Sequence, residues 1–247
     1  MPSEAAAEKT NVPTTTEAPA WFTRAIAAPF TEHVVDADGC AVHYLRWASS
    51  AGQAAGAAGP KPAVILIHGG GAHAFWWAFL APFLADTYDV VAVDLSGHGD
   101  SGRRERYPRE VWARDVLAVI EDAAFESRPF LVGHSMGGFV STVCAAQYGE
   151  RLAGAVLVDS PIQPRSPKDD PEAASPPPAR GAGWSFERIS PYPDFQSAVQ
   201  RFRLLPPQPT PHPFLLEFVA AKSVRQDPDG FTWKFDPRVF EKASHSS

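Results

Sequence analysis

The stretch best equipped for chemistry is Gly133-His134-Ser135-Met136-Gly137. A serine stands between two glycines in the pattern G-x-S-x-G. It follows an apolar run, Pro129 to Val132, and precedes a small-residue segment of helical character, Phe139 to Tyr148. In that setting the pattern marks a nucleophile elbow, a strained strand-to-helix turn that lifts the serine hydroxyl above the end of a sheet. The spacing has physical reasons. Gly133 and Gly137 let strand and helix approach where a Cβ would clash. The helix aims its unpaired N–H groups, beginning with that of Met136, at any anion formed on Ser135. The chemistry on offer is nucleophilic attack by a serine.

Several elements must position that turn. Ala63-Val64-Ile65-Leu66-Ile67 is a continuous apolar run, as expected of a strand buried on both faces, and it ends in His68-Gly69-Gly70-Gly71. A short helix around Phe75 to Ala85 leads to a second such strand, Val90 to Val93, ending in Asp94-Leu95-Ser96-Gly97-His98-Gly99-Asp100-Ser101. Pro108 opens a helix whose apolar residues Trp112, Val116, Val119, Ile120 and Ala123 recur at three and four, one face packed on a sheet. After the elbow helix Gly149 is a stop signal, and Ala155 to Val158 forms another buried strand before Asp159. Upstream, Glu32 to Val35 and Ala41 to Trp47 flank the turn Asp36-Ala37-Asp38-Gly39, a hairpin signal. Ser49 to Pro60 is a Gly/Ala-rich connection. Strands alternating with helices predict an α/β fold around a mostly parallel sheet with right-handed crossovers.

From Pro161 the grammar changes. A Pro/Ser-rich loop with Pro176-Pro177-Pro178 is followed by helices near Phe195 to Leu204 and Phe214 to Lys222, the turn Asp227-Pro228-Asp229-Gly230, and an alternating aromatic segment, Phe231 to Phe235. No later segment reads as a buried strand. The net charge of −6 argues against nucleic acid or an anionic membrane as the main partner. No apolar run approaches the roughly 18 residues of a bilayer span, and the polar N-terminus lacks the apolar stretch of a secretory signal. The two cysteines, Cys40 in a turn and Cys144 inside the elbow helix, fit no disulfide framework or metal spacing. They suit a reducing, cytoplasmic setting.

The order of the three motifs, His68 to Gly71, Asp94 to Ser101 and Gly133 to Gly138, resembles the α/β-hydrolase superfamily over about residues 30–160. The resemblance is to its serine-nucleophile branch. It implies Ser135 as nucleophile, the backbone N–H groups of Gly70 and Met136 as oxyanion donors, and a cap beginning after Asp159. The implied activity is cofactor-independent and metal-free hydrolysis of a small-molecule ester, amide or activated carbon–carbon bond through an acyl-enzyme. Epoxide hydrolases and haloalkane dehalogenases are disfavoured, because those relatives place a carboxylate where Ser135 stands.

Family members end with two further strand–helix units carrying the usual acid and the catalytic histidine, and roughly 60 residues of that kind are absent here. The expected fold class is therefore a mostly parallel α/β-hydrolase sheet with a cap insertion, C-terminally incomplete. The expected organisation is a disordered tail over residues 1–28, a core with the first six strands over 29–160, and a cap region with a truncated C-terminus over 161–247. Weak hydrolysis follows, since a serine needs a base and the base an orienting carboxylate. The alternative is a non-catalytic remnant or a ligand-binding relative. Asp159, at the tip of the strand after the elbow, reads either as the acid, where a minority of the family places it, or as a cap for the following turn. His134 reads as packing; His68, His73 and His98 sit at strand ends, His68 and His98 as loop supports; and His212, His98 and His245 are the surrogate bases to test should the chain prove active. Asp94 and Asp100 read as holding their own loop. Trp76 and Trp77 read as core or as an acyl-pocket lining. The uncovered edge of the strand Ala155 to Val158 predicts self-association.

Overall fold

The apolar runs become the centre of a six-stranded sheet. The computed structural model describes residues 18–47, 61–160, 190–204, 207–210 and 212–241. The strands are β1 (Thr31–Ala37), β2 (Cys40–Trp47), β3 (Ala63–Ile67), β4 (Asp89–Val93), β5 (Pro129–His134) and β6 (Gly154–Val158), in the order β1-β2-β4-β3-β5-β6. β1 and β2 pair antiparallel, as do β2 and β4; β4, β3, β5 and β6 run parallel. The first hairpin closes where Asp38 and Gly39 both take positive φ, 51° and 75°, the twist-matched turn that Asp-Gly favours.

Five helices of the described chain matter for the layers: α1 (Ala20–Ile26), α2 (Ala81–Ala85), α3 (Arg109–Ala123), α4 (Met136–Tyr148) and, after α5 (Phe195–Arg201), α6 (Pro213–Lys222). Ile65, Ile67, Val91, Val93 and Leu131 point to one face and pack with Trp112, Val116 and Val119 of α3 and Val140 and Cys144 of α4. Val64, Leu66, Val90 and Ala92 point to the other, against Phe22 of α1, Phe75, Ala81 of α2, and Phe214 and Phe218 of α6. Both faces of β3 and β4 are thus covered, which is why these strands read as unbroken apolar runs rather than alternating ones.

Some expectations change. Within the segment expected as a disordered tail, residues 1–28, residues 20–26 form α1. Trp21-Phe22 supplies enough apolar surface to dock a single turn pair, and Phe22 is fully buried with its ring 4.9 Å from that of Phe214. Pro108 is the cap of α3 rather than its first residue. Gly149 caps α4 in the right-handed region (φ −56°) and passes directly into a 3₁₀ turn, Gly149–Arg151, so it ends the helix without a left-handed residue. Beyond residue 190 the chain holds a two-stranded hairpin, β7 (Val224–Asp227) and β8 (Gly230–Trp233), where only the second strand was legible. Residues 1–17, the connection at 48–60, the Pro/Ser-rich loop at 161–189 and His245 lie outside the described residues. No helix among the described residues is long and apolar enough to cross a membrane.

β6 departs most from the interior strand its composition suggests. It is the sheet edge, and Val156 and Val158 remain 51% and 41% exposed. Phe130 of β5 shares that face at 38% exposure, so the patch is continuous. The segment Phe231 to Phe235 does not shield it: Phe231 to Trp233 pairs with β7, and Phe235 bridges His98 at the opposite side of β5. Among the described residues nothing pairs with the outer N–H and C=O groups of β6. An exposed apolar edge is a template for another strand. The chain is expected to self-associate, with sedimentation and melting that depend on protein concentration. A monomer with a concentration-independent melt would contradict this.

Candidate active site

The parallel register brings the C-terminal ends of four strands to one level, where Ile67 is paired with Val93 and Gly133, and His134 with Val158. The residues that follow these ends are the ones singled out above: Gly69 to Gly71 after β3, Asp94 after β4, Ser135 after β5 and Asp159 after β6. Such strand ends are where open α/β sheets bind ligands.

Ser135 is the single residue between β5 and α4, with φ 51° and ψ −111°. A non-glycine residue in this region costs about 1–3 kcal/mol and persists only where its surroundings enforce it. Those surroundings are visible. Ser135 N–H donates to Val158 O at 2.9 Å, and Ser135 O accepts from Gly138 N–H at 3.0 Å and from Ser160 Oγ at 2.9 Å. The glycines on either side are required by contact: a Cβ at Gly133 would overlap Gly137 O, and one at Gly137 would overlap the carbonyls of Ile67 and His68. The helix is thereby pulled flat against β3 and β5.

The glycine loop after β3 lies beside this turn. A Cβ on Gly69 would stand 3.5 Å from Ser135 Cβ, and one on Gly70 would stand 3.7 Å from Met136 Sδ. Met136 is the first residue of α4, whose opening N–H groups have no intrahelical partner. Gly70, Met136 and Ser135 therefore converge. Asp159 follows the neighbouring strand β6 and also has a positive φ, 49°, with its side chain exposed. Among the described residues no side chain hydrogen-bonds to Ser135 Oγ.

The histidines divide by their partners. His68 is fully committed, with Nδ1 2.7 Å from Gly69 O and Nε2 accepting from Leu95 N–H at 3.1 Å, a neutral ring that supports the glycine loop. Burial lowers its pKa. His98 packs between the rings of His68 and Trp112, and burial, reinforced by His68, lowers its pKa well below the ordinary value. His73 reaches Ser223 Oγ at 2.9 Å, and burial pushes its pKa down to about 3. His134 lies against the loop, where a Cβ on Gly69 would come within 3.0 Å of its Nδ1. His212 caps α6, its ring 5.5 Å from that of Phe214. Trp76 and Trp77 pack against the core on the α6 side of the sheet.

Asp94 does more than hold its own loop. Its Oδ1 accepts from Ala74 N–H, and its Oδ2 accepts from Asp100 N–H and from His43 Nδ1 at 2.8 Å. Burial opposes its charge, yet the hydrogen bond and charge of His43 hold its carboxyl well below the usual carboxylate range. Burial also opposes a charge on His43, but Asp94 outweighs it and raises the pKa. His43 was not singled out in the sequence. Nor was the buried Arg104–Asp115 pair at 2.8 Å, which ties the loop after β4 to α3. Asp100 instead meets Lys234 Nζ at 2.6 Å.

These histidines make stability depend on pH. His68, His73 and His98 have depressed folded-state pKa values, so their contribution is whole above the unfolded value near 6.5 and drains as pH falls below it. Each costs about 1.4 kcal/mol per pH unit in that range. His43 has the opposite sign: its contribution is whole below 6.5 and is lost as pH rises through its raised value. Denaturant unfolding at pH 5 to 8 should therefore show acid loss with proton uptake, and a loss of the opposite sign on the alkaline side. A profile flat between pH 7 and 5 would contradict this.

The family model described as "alpha/beta hydrolase fold" matches residues 62–205. The chain is similar to monoacylglycerol lipase abhd6-B of Xenopus laevis, 33% identical over 108 residues that cover 42% of this chain and 32% of that protein. It is also similar to the pimeloyl-[acyl-carrier protein] methyl ester esterase of Neisseria meningitidis, 34% identical over 114 residues, covering 46% of this chain and 43% of the esterase. Among solved structures, the thioesterase domain from the curacin biosynthetic pathway superposes with a TM-score of 0.64 at 23% identity, over 87% of this chain and 73% of the domain. The chain spans about a third of the length of most curated relatives it matches.

Proposed function

Because this chain belongs to the alpha/beta hydrolase family, we propose that it is a serine hydrolase acting on carboxylic esters through an acyl-enzyme at Ser135. The observation that carries the reading is the positive φ of Ser135 at a strand-to-helix turn, the strained geometry of a nucleophile elbow. In this reading Ser135 Oγ attacks the substrate carbonyl and its proton leaves to a base. The N–H groups of Gly70 and Met136 take the developing oxyanion. The leaving alcohol departs and water then releases the acid. The names of the lipase and methyl ester esterase relatives favour an ester over an amide. The two free, buried cysteines support a cytoplasmic setting.

The base is the weak part of the machinery. Asp159 is the acid of the reading, set at the strand tip next to Ser135. His68 cannot serve as base while both of its nitrogens hold backbone groups. A serine with no base paired to it, as among the described residues, typically reacts about 10⁴–10⁶-fold more slowly. Turnover of a short-chain nitrophenyl ester by this chain should lie near background, with Ser135→Ala removing the excess. Robust turnover that survives Ser135→Ala would overturn the serine reading. No Ser135-dependent excess would favour a ligand-binding protein that keeps the site without the reaction.

A further inference from the structure

The backbone of Ser135 is tied on both sides of its Cα to the end of β6. Its N–H donates to Val158 O at 2.9 Å, and its carbonyl accepts from Ser160 Oγ at 2.9 Å. The φ and ψ of a residue are set by the planes of the two peptides that flank it. Both planes are therefore held by one strand end, at the φ of 51° and ψ of −111° that make the elbow. The Ser160 hydroxyl also lies 3.2 Å from Val158 O. Its one proton can serve either oxygen, and Ser135 O is the nearer.

The second of these peptides matters for the chemistry. It carries Ser135 C=O on one side and Met136 N–H on the other, and a planar trans peptide points the two in opposite directions. A hydroxyl donating to Ser135 O thus fixes the direction of Met136 N–H. A hydrogen bond at the carbonyl also polarises the N–H of the same peptide and strengthens it as a donor. Room for that hydroxyl depends on residue 138 being glycine, since a Cβ there would overlap Ser160 Oγ. The elbow glycines accordingly divide the work. Gly133 and Gly137 let helix and strand approach, and Gly138 admits Ser160.

We propose that Ser160 is a positioning residue for the oxyanion site, holding the Ser135–Met136 peptide so that Met136 N–H faces the developing charge. The proposal deepens the serine-hydrolase reading and rests on it. The hydroxyl acts through the peptide and not on the substrate. Its effect is graded, because Gly138 N–H keeps its own 3.0 Å bond to Ser135 O when the hydroxyl is gone. Loss of one hydrogen bond of ordinary net worth corresponds to about fivefold in rate.

The test is the rate at which a short-chain alkyl phosphonofluoridate labels Ser135 in the unaltered chain, in Ser160→Ala and in Ser160→Thr. In that reaction the serine oxygen bonds to phosphorus, its proton passes to solvent and fluoride leaves. The phosphoryl oxygen gathers negative charge on the way, as an ester carbonyl oxygen would. Ser160→Ala should label about fivefold more slowly per folded chain. Ser160→Thr, which keeps a hydroxyl, should regain most of that rate. Urea unfolding of each protein gives the folded fraction and separates positioning from support of the fold. A lowered unfolding midpoint with an unchanged rate per folded chain would overturn the proposal. So would a Ser160→Thr as slow as Ser160→Ala. Absence of label from Ser135 in the unaltered chain is a different result: it would remove the serine-hydrolase reading itself, and the proposal with it.

Discussion

Asp94→Ala should lower the stability of the chain by about 3–5 kcal/mol, the cost of removing one partner from a buried ion pair. The carboxylate has three roles at once: it pairs with His43, and it accepts from Ala74 N–H and from Asp100 N–H. Removing it strands two buried donors, Ala74 N–H and His43 Nδ1, each carrying a desolvation penalty of about 1–3 kcal/mol, and frees the part-buried Asp100 N–H. The effect would appear as a fall in the melting temperature of about 10 °C for a chain of this size. The exposed pair Arg151–Glu121, 3.3 Å apart, is the contrast. Glu121→Gln should change stability by no more than about 0.5 kcal/mol, since pairs in water contribute little. Equal losses from the two substitutions would show that Asp94 is not the hub of this loop.

Gly137→Ala is expected to be the second severe change. The new Cβ would overlap the carbonyl oxygens of Ile67 and His68, and these are backbone atoms of β3 and its continuation, held by pairing on both sides. Neither side can yield without moving the glycine loop or the elbow. Overpacking of this kind costs about 1–3 kcal/mol and sometimes more, and here it would also separate Ser135 from Gly70. Gly149→Ala is the control: it has open space around the new methyl and a right-handed φ of −56°. That substitution should be neutral or stabilising by about 0.4–1 kcal/mol. Urea unfolding of both variants checks the contrast, and a benign Gly137→Ala would mean that α4 is not packed as closely as described.

The parts of the fold that were legible are those with local causes. The continuous apolar runs of β3 and β4, the three-and-four spacing of α3 and the glycine spacing around Ser135 each state their own geometry within a few residues. The parts that were not legible depend on contacts between distant segments. Asp94 was readable as a loop residue because Asp100 N–H is near in sequence. Its partner His43 is 51 residues away, and only the antiparallel pairing of β2 with β4 brings them together. The same holds for residues 223–240: alternation around Phe231 signals a strand, but nothing local says that Asp236 will meet Tyr107 or that Phe240 will rest on Gly70. β6 was legible as an apolar strand with an uncovered edge, and it is the edge of the six-stranded sheet. Four apolar residues in a row argue for burial on both faces, yet the edge position leaves Val156 and Val158 open.

The central claim is that Ser135 is a nucleophile held by its backbone for attack at a carbonyl. The most direct measurement is reaction of the chain with a short-chain alkyl phosphonofluoridate, which loses fluoride when an activated serine oxygen bonds to phosphorus. Intact mass and peptide mapping then locate the adduct. The expected result is slow labelling, in keeping with near-background turnover, with the adduct on Ser135 and absent from Ser135→Ala. An adduct that forms on another residue while Ser135 stays unmodified, or that persists in Ser135→Ala, would contradict it.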